Sequence, residues 1–179
     1  MNDLLERYSR FRHAAKDHET ARLIEAVQMN VNTALIQCER IAQGQQLIRS
    51  LPRADRVAFL TLFADIHFFV IVADDIERCV DKLRLRLNSG ELKQILKKYR
   101  YFFDAVREMR NHHEHLDERI HCENLYYGKG LEDDWTFEMC GSYLKVGPAA
   151  EPRLIGLYEA VYEALESTLS KCNVPEKAC

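Results

Sequence analysis

Apolar residues recur at intervals of three and four along most of this 179-residue chain. This spacing places them on one face of an α-helix. The clearest stripe lies between residues 19 and 42 and consists of Leu23, Val27, Val31, Ala34, Leu35, Cys38 and Ile41. With only 7 glycines and 4 prolines, the pattern predicts an all-α fold and excludes a β-rich one. The length suits one domain, so we expect residues 1–179 to form a single helical domain.

The helical stripes and the turn residues between them predict an up-and-down bundle of four or five helices. The predicted helices run from about Leu4 to Ala15, Glu19 to Ala42, Ala54 to Leu87, Glu91 to His121 and Pro152 to Lys171. Gly44 is the expected stop of the second helix, and the turn Asn88-Ser89-Gly90 ends the third. Residues 173–179 are predicted to form a flexible tail.

The composition changes between the last two predicted helices. Four of the seven glycines and two of the four prolines lie between Cys122 and Pro152. The stretch WTFEMCGSYLKVG is rich in strand-forming residues, and NLYYGKGLEDDW before it has the character of a strand and a turn. This region therefore predicts a β-hairpin insertion over about residues 122–150 that projects from the bundle.

Charge and the N-terminal sequence limit the function classes. A formal net charge of −3 excludes a strongly basic, charge-driven nucleic-acid binder, so any contact with RNA needs a local patch. The N-terminal residues MNDLLERYSRFRH are charged throughout and contain no apolar signal segment. We therefore expect a cytoplasmic protein with reduced thiols.

The longest apolar run, Val57 to Ala73, contains Asp65 and His67. It is shorter than the roughly 20 residues that a membrane-spanning helix needs, so we expect no membrane segment. Its apolar residues extend nearly all the way round a helix, which is typical of burial on more than one side. One small bundle does not cover a helix completely. We therefore expect a homodimer formed through this third predicted helix.

Four of the seven histidines lie within residues 108–121. A helical wheel of about 100° per residue places His113 on the apolar face, which predicts a buried, hydrogen-bonded histidine. His112 falls near the exposed edge. The opposite side of the same helix carries the polar residues Arg107, Arg110, Asn111, Glu114, His115 and Glu118.

The sequence Arg110-Asn111 followed by His115 resembles the R-x4-6-H signature of the HEPN superfamily, whose members are all-α and usually dimeric. Many are metal-independent ribonucleases of toxin–antitoxin and defence systems. The resemblance implies that His115 is the general acid or base, that Arg110 stabilises phosphoryl charge and that Asn111 orients the phosphate. It implies RNA as substrate, a neutralising protein partner, and no metal or other cofactor. We expect Arg107 and Glu114 beside them to contact the substrate.

Two other interpretations of this helix stay open. The acidic neighbours Glu114, Asp117 and Glu118 repel phosphate and favour a non-catalytic, HEPN-like interaction or regulatory dimer. In that alternative the motif is structural, and Arg110 pairs with Glu114, with Asp117, or with an acid of the third predicted helix, Asp74 or Asp75. A metal site built from the histidines with Glu114 and Asp117 is less favoured. His113 and His115 face opposite ways, so one helix does not gather three ligands.

Overall fold

The structure is a computed structural model that describes residues 15, 17–51, 55–114 and 135–172. The described elements are α1 (His18–Ser50), α2 (Arg56–Leu87), α3 (Gly90–Lys98), α4 (Arg100–Glu114), β1 (Thr136–Met139), β2 (Ser142–Lys145), a 3-10 turn (Gly147–Ala149) and α5 (Glu151–Cys172). They form an all-α bundle with one small β-hairpin before the last helix, as the sequence predicts. The predicted helix 4–15, apart from Ala15, and the tail 173–179 lie outside the described residues.

Helices α1 and α2 form a long antiparallel pair whose ends are fixed by polar caps. The Asp17 carboxylate accepts a hydrogen bond from the Thr20 backbone N–H at 2.9 Å, and Arg86 at the end of α2 binds the same carboxylate at 2.8 Å. These contacts, with the Thr20 hydrogen bond first, lower the pKa of Asp17 to about 2. Asp55 caps the start of α2, and Asn88 ends it in the left-handed conformation with φ 47°.

The prediction that Gly44 stops the first of these helices is wrong, because α1 continues to Ser50. A Cβ atom added at Gly44 would lie 3.3 Å from Leu62 Cδ1 and 3.9 Å from Leu62 Cα. The glycine therefore permits the close approach of α2 within a continuing helix. Its role is tertiary and has no signature in the local sequence.

The long helix predicted from Glu91 to His121 is two helices in the structure. α3 ends at Lys98, Tyr99 takes the non-helical angles φ −94° and ψ 8°, and α4 begins at Arg100. The last described residue of α4 is Glu114, so the predicted continuation to His121 lies outside the described residues. The final helix agrees with its predicted bounds to within one residue at each end.

The described hairpin lies within the predicted range 122–150, and it packs on the bundle rather than projecting from it. Both strands come from residues 136–145, paired antiparallel with Phe137 opposite Leu144. Cys140 and Gly141 form the two-residue turn with φ 51° and 80°. Phe137, Met139 and Leu144 are buried, because this face of the hairpin packs on the bundle beside α4. The segment 122–134, for which we predicted a strand and a turn, lies outside the described residues.

Candidate functional site

The motif arginine lies at the contact between α2 and α4. The Arg110 guanidinium binds the carboxylate of Asp74 through Nη1, and its Nε binds Glu114 Oε1 at 2.7 Å. Asp74 is only 4% exposed in its side chain and also binds Arg78 at 2.9 Å. The pKa of Arg110 is raised, chiefly by the hydrogen bond with Glu114 and then by Asp74. Arg110 is therefore an ion-pair partner of two carboxylates.

A second arginine, one helical turn earlier in α4, makes the same kind of contact. Arg107 Nη1 lies 2.8 and 2.9 Å from the two carboxylate oxygens of Glu77, and its Nη2 binds Asp104. Burial raises the pKa of Glu77, and Arg107 partly offsets this rise. The two arginines therefore connect α4 to α2 through two carboxylates, Asp74 and Glu77, and each arginine also binds one carboxylate of α4 itself.

The other residues of the motif are placed in part. Asn111 and Glu114 are exposed on the surface of α4. The Glu114 carboxylate forms an ion pair with Arg110. His115, the predicted acid or base, lies outside the described residues, as do Asp117 and Glu118. The structure therefore places Arg110 in ion pairs with Asp74 and Glu114, and Arg107 in a neighbouring group of ion pairs with Glu77 and Asp104. We call these two groups together the ion-pair network of α4.

His113 is buried as predicted, and it lies against a histidine that the sequence did not connect to it. The ring centroids of His113 and His67 of α2 are 4.6 Å apart, and Phe63 and Phe137 pack on the same imidazole at 4.9 and 6.1 Å. The predicted hydrogen bond is absent at His113 Nε2, which has no partner among the described residues. Burial, followed by the charge of His67, lowers the pKa of His113 to about 4.

His112, which the helical wheel places near the exposed edge of the helix, is half-buried in the structure. Its Nε2 lies 2.9 Å from the hydroxyl of Ser142 on β2, so this side chain joins the hairpin to α4.

Burial also lowers the pKa of His67, and the charge of Glu114 opposes this shift. Within the described part of the chain, no group of three or more His, Cys, Asp and Glu side chains is arranged to hold a metal ion.

The outer face of α2 carries an apolar stripe that consists of Val57, Leu60, Ala64, Phe68 and Ile71. Val57 is 72% exposed, Leu60 53% and Phe68 47%. α2 is long and apolar enough to cross a membrane, with a mean hydropathy of 1.9 over 18 residues. Half of that window is buried against the rest of the protein, and a core helix gives the same signal.

Comparison of the chain with protein-family models, with curated proteins and with solved structures gives no match in any of the three. The two features of the molecule that bear on its function are the ion-pair network of α4 and the apolar stripe of α2.

Proposed function

We propose that this chain is a non-catalytic helical interaction protein that resembles HEPN domains and acts as a homodimer in the cytoplasm. The observation that carries the proposal is the capture of Arg110 by Asp74 and Glu114. A catalytic arginine must offer its guanidinium to a phosphoryl group. At Arg110 a phosphate has to compete with two carboxylates, one of them almost fully buried. This geometry suits a residue that stabilises the packing of α4 on α2.

The dimer is supported by the composition of the α2 apolar stripe. From Val57 to Ile71 it is about 21 Å long, and its residues are uncharged, so two copies meet without charge repulsion. Ala64 at its centre allows close approach of two helices. An antiparallel crossing centred on Ala64 places Arg56 of each copy at the level of Val72 of the other, about 4.5 Å along the helix axis from the oppositely charged Asp75.

One experiment separates a structural arginine from a catalytic one. The purified wild-type chain, Arg110→Ala and His115→Ala are incubated with RNA in excess EDTA, and each is unfolded in urea. We expect no cleavage by any of them. We also expect Arg110→Ala to lose about 3 kcal/mol of stability, because the substitution leaves the buried Asp74 carboxylate with Arg78 alone. Arg100→Ala is the control, because Arg100 is 68% exposed and pairs along its own helix with Asp104. We expect it to lose less than 1 kcal/mol.

EDTA-resistant cleavage that both motif variants abolish, with stability retained, would overturn the proposal. It would instead support a second candidate, a metal-independent ribonuclease with Arg110 and His115 as catalytic residues and Asn111 as the phosphate-orienting residue. The observation that favours this candidate is that Asn111 is exposed and that a quarter of the Arg110 side chain remains accessible. A neutralising protein partner belongs to the same candidate.

The homodimer is tested by sedimentation of wild type, Phe68→Lys and Met29→Lys. Phe68 lies within the α2 apolar stripe, whereas Met29 is 62% exposed on α1 and serves as the matched control. We expect a dimer for wild type and for Met29→Lys, and a folded monomer for Phe68→Lys. A wild-type monomer at all concentrations would contradict the proposal, and so would a dimer that Phe68→Lys leaves intact.

A further inference from the structure

A cleft of about 510 Å³ lies where the end of α3, the start of α4 and the start of α5 meet. We call it the cationic cleft, and its walls include Lys98, Tyr99, Tyr101, Phe102 and Arg153. Its volume is within the range of sites that bind small molecules, roughly 300–1,000 Å³. It is distinct from the site of Arg110, because Tyr101 and Arg110 are about 14 Å apart along α4.

The two cations of the cleft differ from the other cations near it. In the part of the chain that the structure describes, neither Lys98 nor Arg153 has a carboxylate oxygen within 4.0 Å. Arg100, by contrast, lies 3.3 Å from Asp104. The charges of Lys98 and Arg153 are therefore available to an anionic group. A patch of this kind is the local feature that RNA contact requires in a chain whose net charge is −3.

Aromatic rings position these charges without neutralising them. Lys98 Nζ lies 5.4 Å from the centroid of the Tyr99 ring, and the Arg153 guanidinium carbon lies 5.7 Å from that of Phe102. Phe102 is only 3% exposed, so the ring under Arg153 is fixed by the core. Contacts at these distances are attractive and orient the cation. The cleft thus holds two oriented positive groups.

Tyr101 supplies a flat apolar surface on the same wall. Its side chain is 83% exposed, the largest exposure among the large apolar residues described, and the Arg100 guanidinium carbon lies 5.8 Å from its ring. Exposed aromatic rings beside positive charges are typical of surfaces on which nucleic-acid bases stack. Acidic groups also lie nearby. Burial raises the pKa of the Tyr99 hydroxyl and of the Cys38 thiol, and the charges of Glu159 and Glu151, respectively, add to these two rises.

We propose that the cationic cleft binds a nucleoside phosphate, with the phosphate between Lys98 and Arg153 and the base stacked on Tyr101. The ligand is either a free nucleotide or a nucleotide unit within single-stranded RNA, because both present the same phosphate and base. The proposal does not depend on the dimer or on the role of Arg110. It adds a binding site to a protein for which we propose no catalytic activity.

The test measures binding of two probes to the full-length chain at 150 mM salt. Calorimetry is used for adenosine triphosphate, and fluorescence anisotropy for a fluorescein-labelled RNA of ten uridines. Each probe is tested with wild type, Lys98→Ala, Arg153→Ala, Tyr101→Ala and Lys93→Ala. Lys93→Ala is the matched control, because Lys93 is an exposed lysine of the same helix that does not line the cleft.

We expect at least one probe to bind and its affinity to fall at least tenfold in Lys98→Ala, in Arg153→Ala and in Tyr101→Ala. Lys93→Ala should stay within twofold of wild type. Binding of the triphosphate alone identifies a free nucleotide, and binding of RNA alone identifies a strand. The proposal is overturned if neither probe binds, or if Lys93→Ala weakens binding as much as the cleft variants do. Pyrophosphate that competes as well as the nucleotide would overturn the role of Tyr101 in stacking.

Discussion

Asp74 and Arg110 lie 36 residues apart in the chain and form an ion pair in which the Asp74 side chain is 4% exposed and the Arg110 side chain 25% exposed. Arg78 binds the same carboxylate from within α2. Taking such a carboxylate out of water is costly unless it is paired. Because Arg110 belongs to α4, the buried Asp74 carboxylate of α2 keeps this partner only while α4 stays packed on α2.

The coupling between these two residues can be measured directly. We expect Asp74→Asn and Arg110→Gln each to destabilise the fold by about 2–3 kcal/mol, and the double variant to lose clearly less than the sum. The measurement is urea unfolding of all four proteins. Asp75→Asn is the control, because Asp75 is the neighbouring acid and makes no described ion pair with Arg110. Additive losses in the double variant would show that the two side chains act independently.

The burial of His113, with His67 beside it, predicts acid sensitivity. An unfolded histidine has a pKa near 6.5, whereas that of folded His113 is about 4. The unfolded chain therefore binds the proton first as the pH falls. The stabilisation is complete above pH 6.5 and is lost progressively between pH 6.5 and pH 4, by up to about 3 kcal/mol.

Urea unfolding as a function of pH tests this expectation in wild type, His113→Phe and His18→Gln. His113→Phe keeps an aromatic ring against Phe63 and Phe137 and should flatten the profile. His18 is exposed at the start of α1, and its variant should retain the wild-type slope. A profile that His113→Phe leaves unchanged would assign the acid sensitivity to other groups.

Two glycines of the hairpin region provide a matched pair. Gly141 and Gly147 both have positive φ, 80° and 57°. A Cβ at Gly141 meets nothing within 4 Å, whereas one at Gly147 would lie 3.0 Å from Trp135 Cε3 and 3.3 Å from Ile41 Cγ2. We expect Gly141→Ala to cost about 1 kcal/mol for backbone conformation alone. Gly147→Ala should cost about 2–4 kcal/mol, because a rigid ring must also move. Equal losses on thermal unfolding would contradict the described packing of Trp135.

Cys38 is predicted to be chemically inert in the folded protein. Its side chain is 2% exposed, and burial raises the pKa of its thiol to about 12. The reactive thiolate is therefore scarce at neutral pH. Alkylation with iodoacetamide, followed residue by residue with mass spectrometry, should label Cys38 only at the rate at which the chain unfolds. Labelling as fast as that of Cys140 would place Cys38 at the surface.

The sequence predicts those features that local residues determine. Asp55 and Asn88 bound α2 through their own capping geometry, and the burial of His113 follows from helical periodicity. Features set by distant contacts escaped prediction. Gly44 is a residue type that often ends helices, but its role here depends on Leu62 of another helix. Likewise, the contact of His67 with His113 depends on how α4 aligns with α2. The apolar stripe of α4 identifies the face that is buried but not the residues of α2 that it contacts.

The same dependence applies to the candidate site. Asp74 and Asp75 were equivalent partners for Arg110 in the sequence, because both are acids on one helix. In the structure Asp74 is buried and pairs with Arg110 of α4, whereas Asp75 is only partly buried and makes no described ion pair with Arg110. The cationic cleft was not predicted, since Lys98 and Arg153 are brought together only when α5 packs beside the start of α4. The consecutive residues KKYRY at 97–101 were the available signal.

The break at Tyr99 has a mechanical consequence for the bundle. Tyr99 ends α3 and α4 begins at the next residue, so two separate helices pack on α2 in place of one continuous helix. The Tyr99 hydroxyl would lie 3.1 Å from a Cβ atom added at Gly156 of α5. The absence of a side chain at Gly156 therefore leaves room for the Tyr99 side chain beside the last helix. A larger residue at 156 would displace the Tyr99 side chain, and the effect of a substitution in α5 would thus reach the break between α3 and α4.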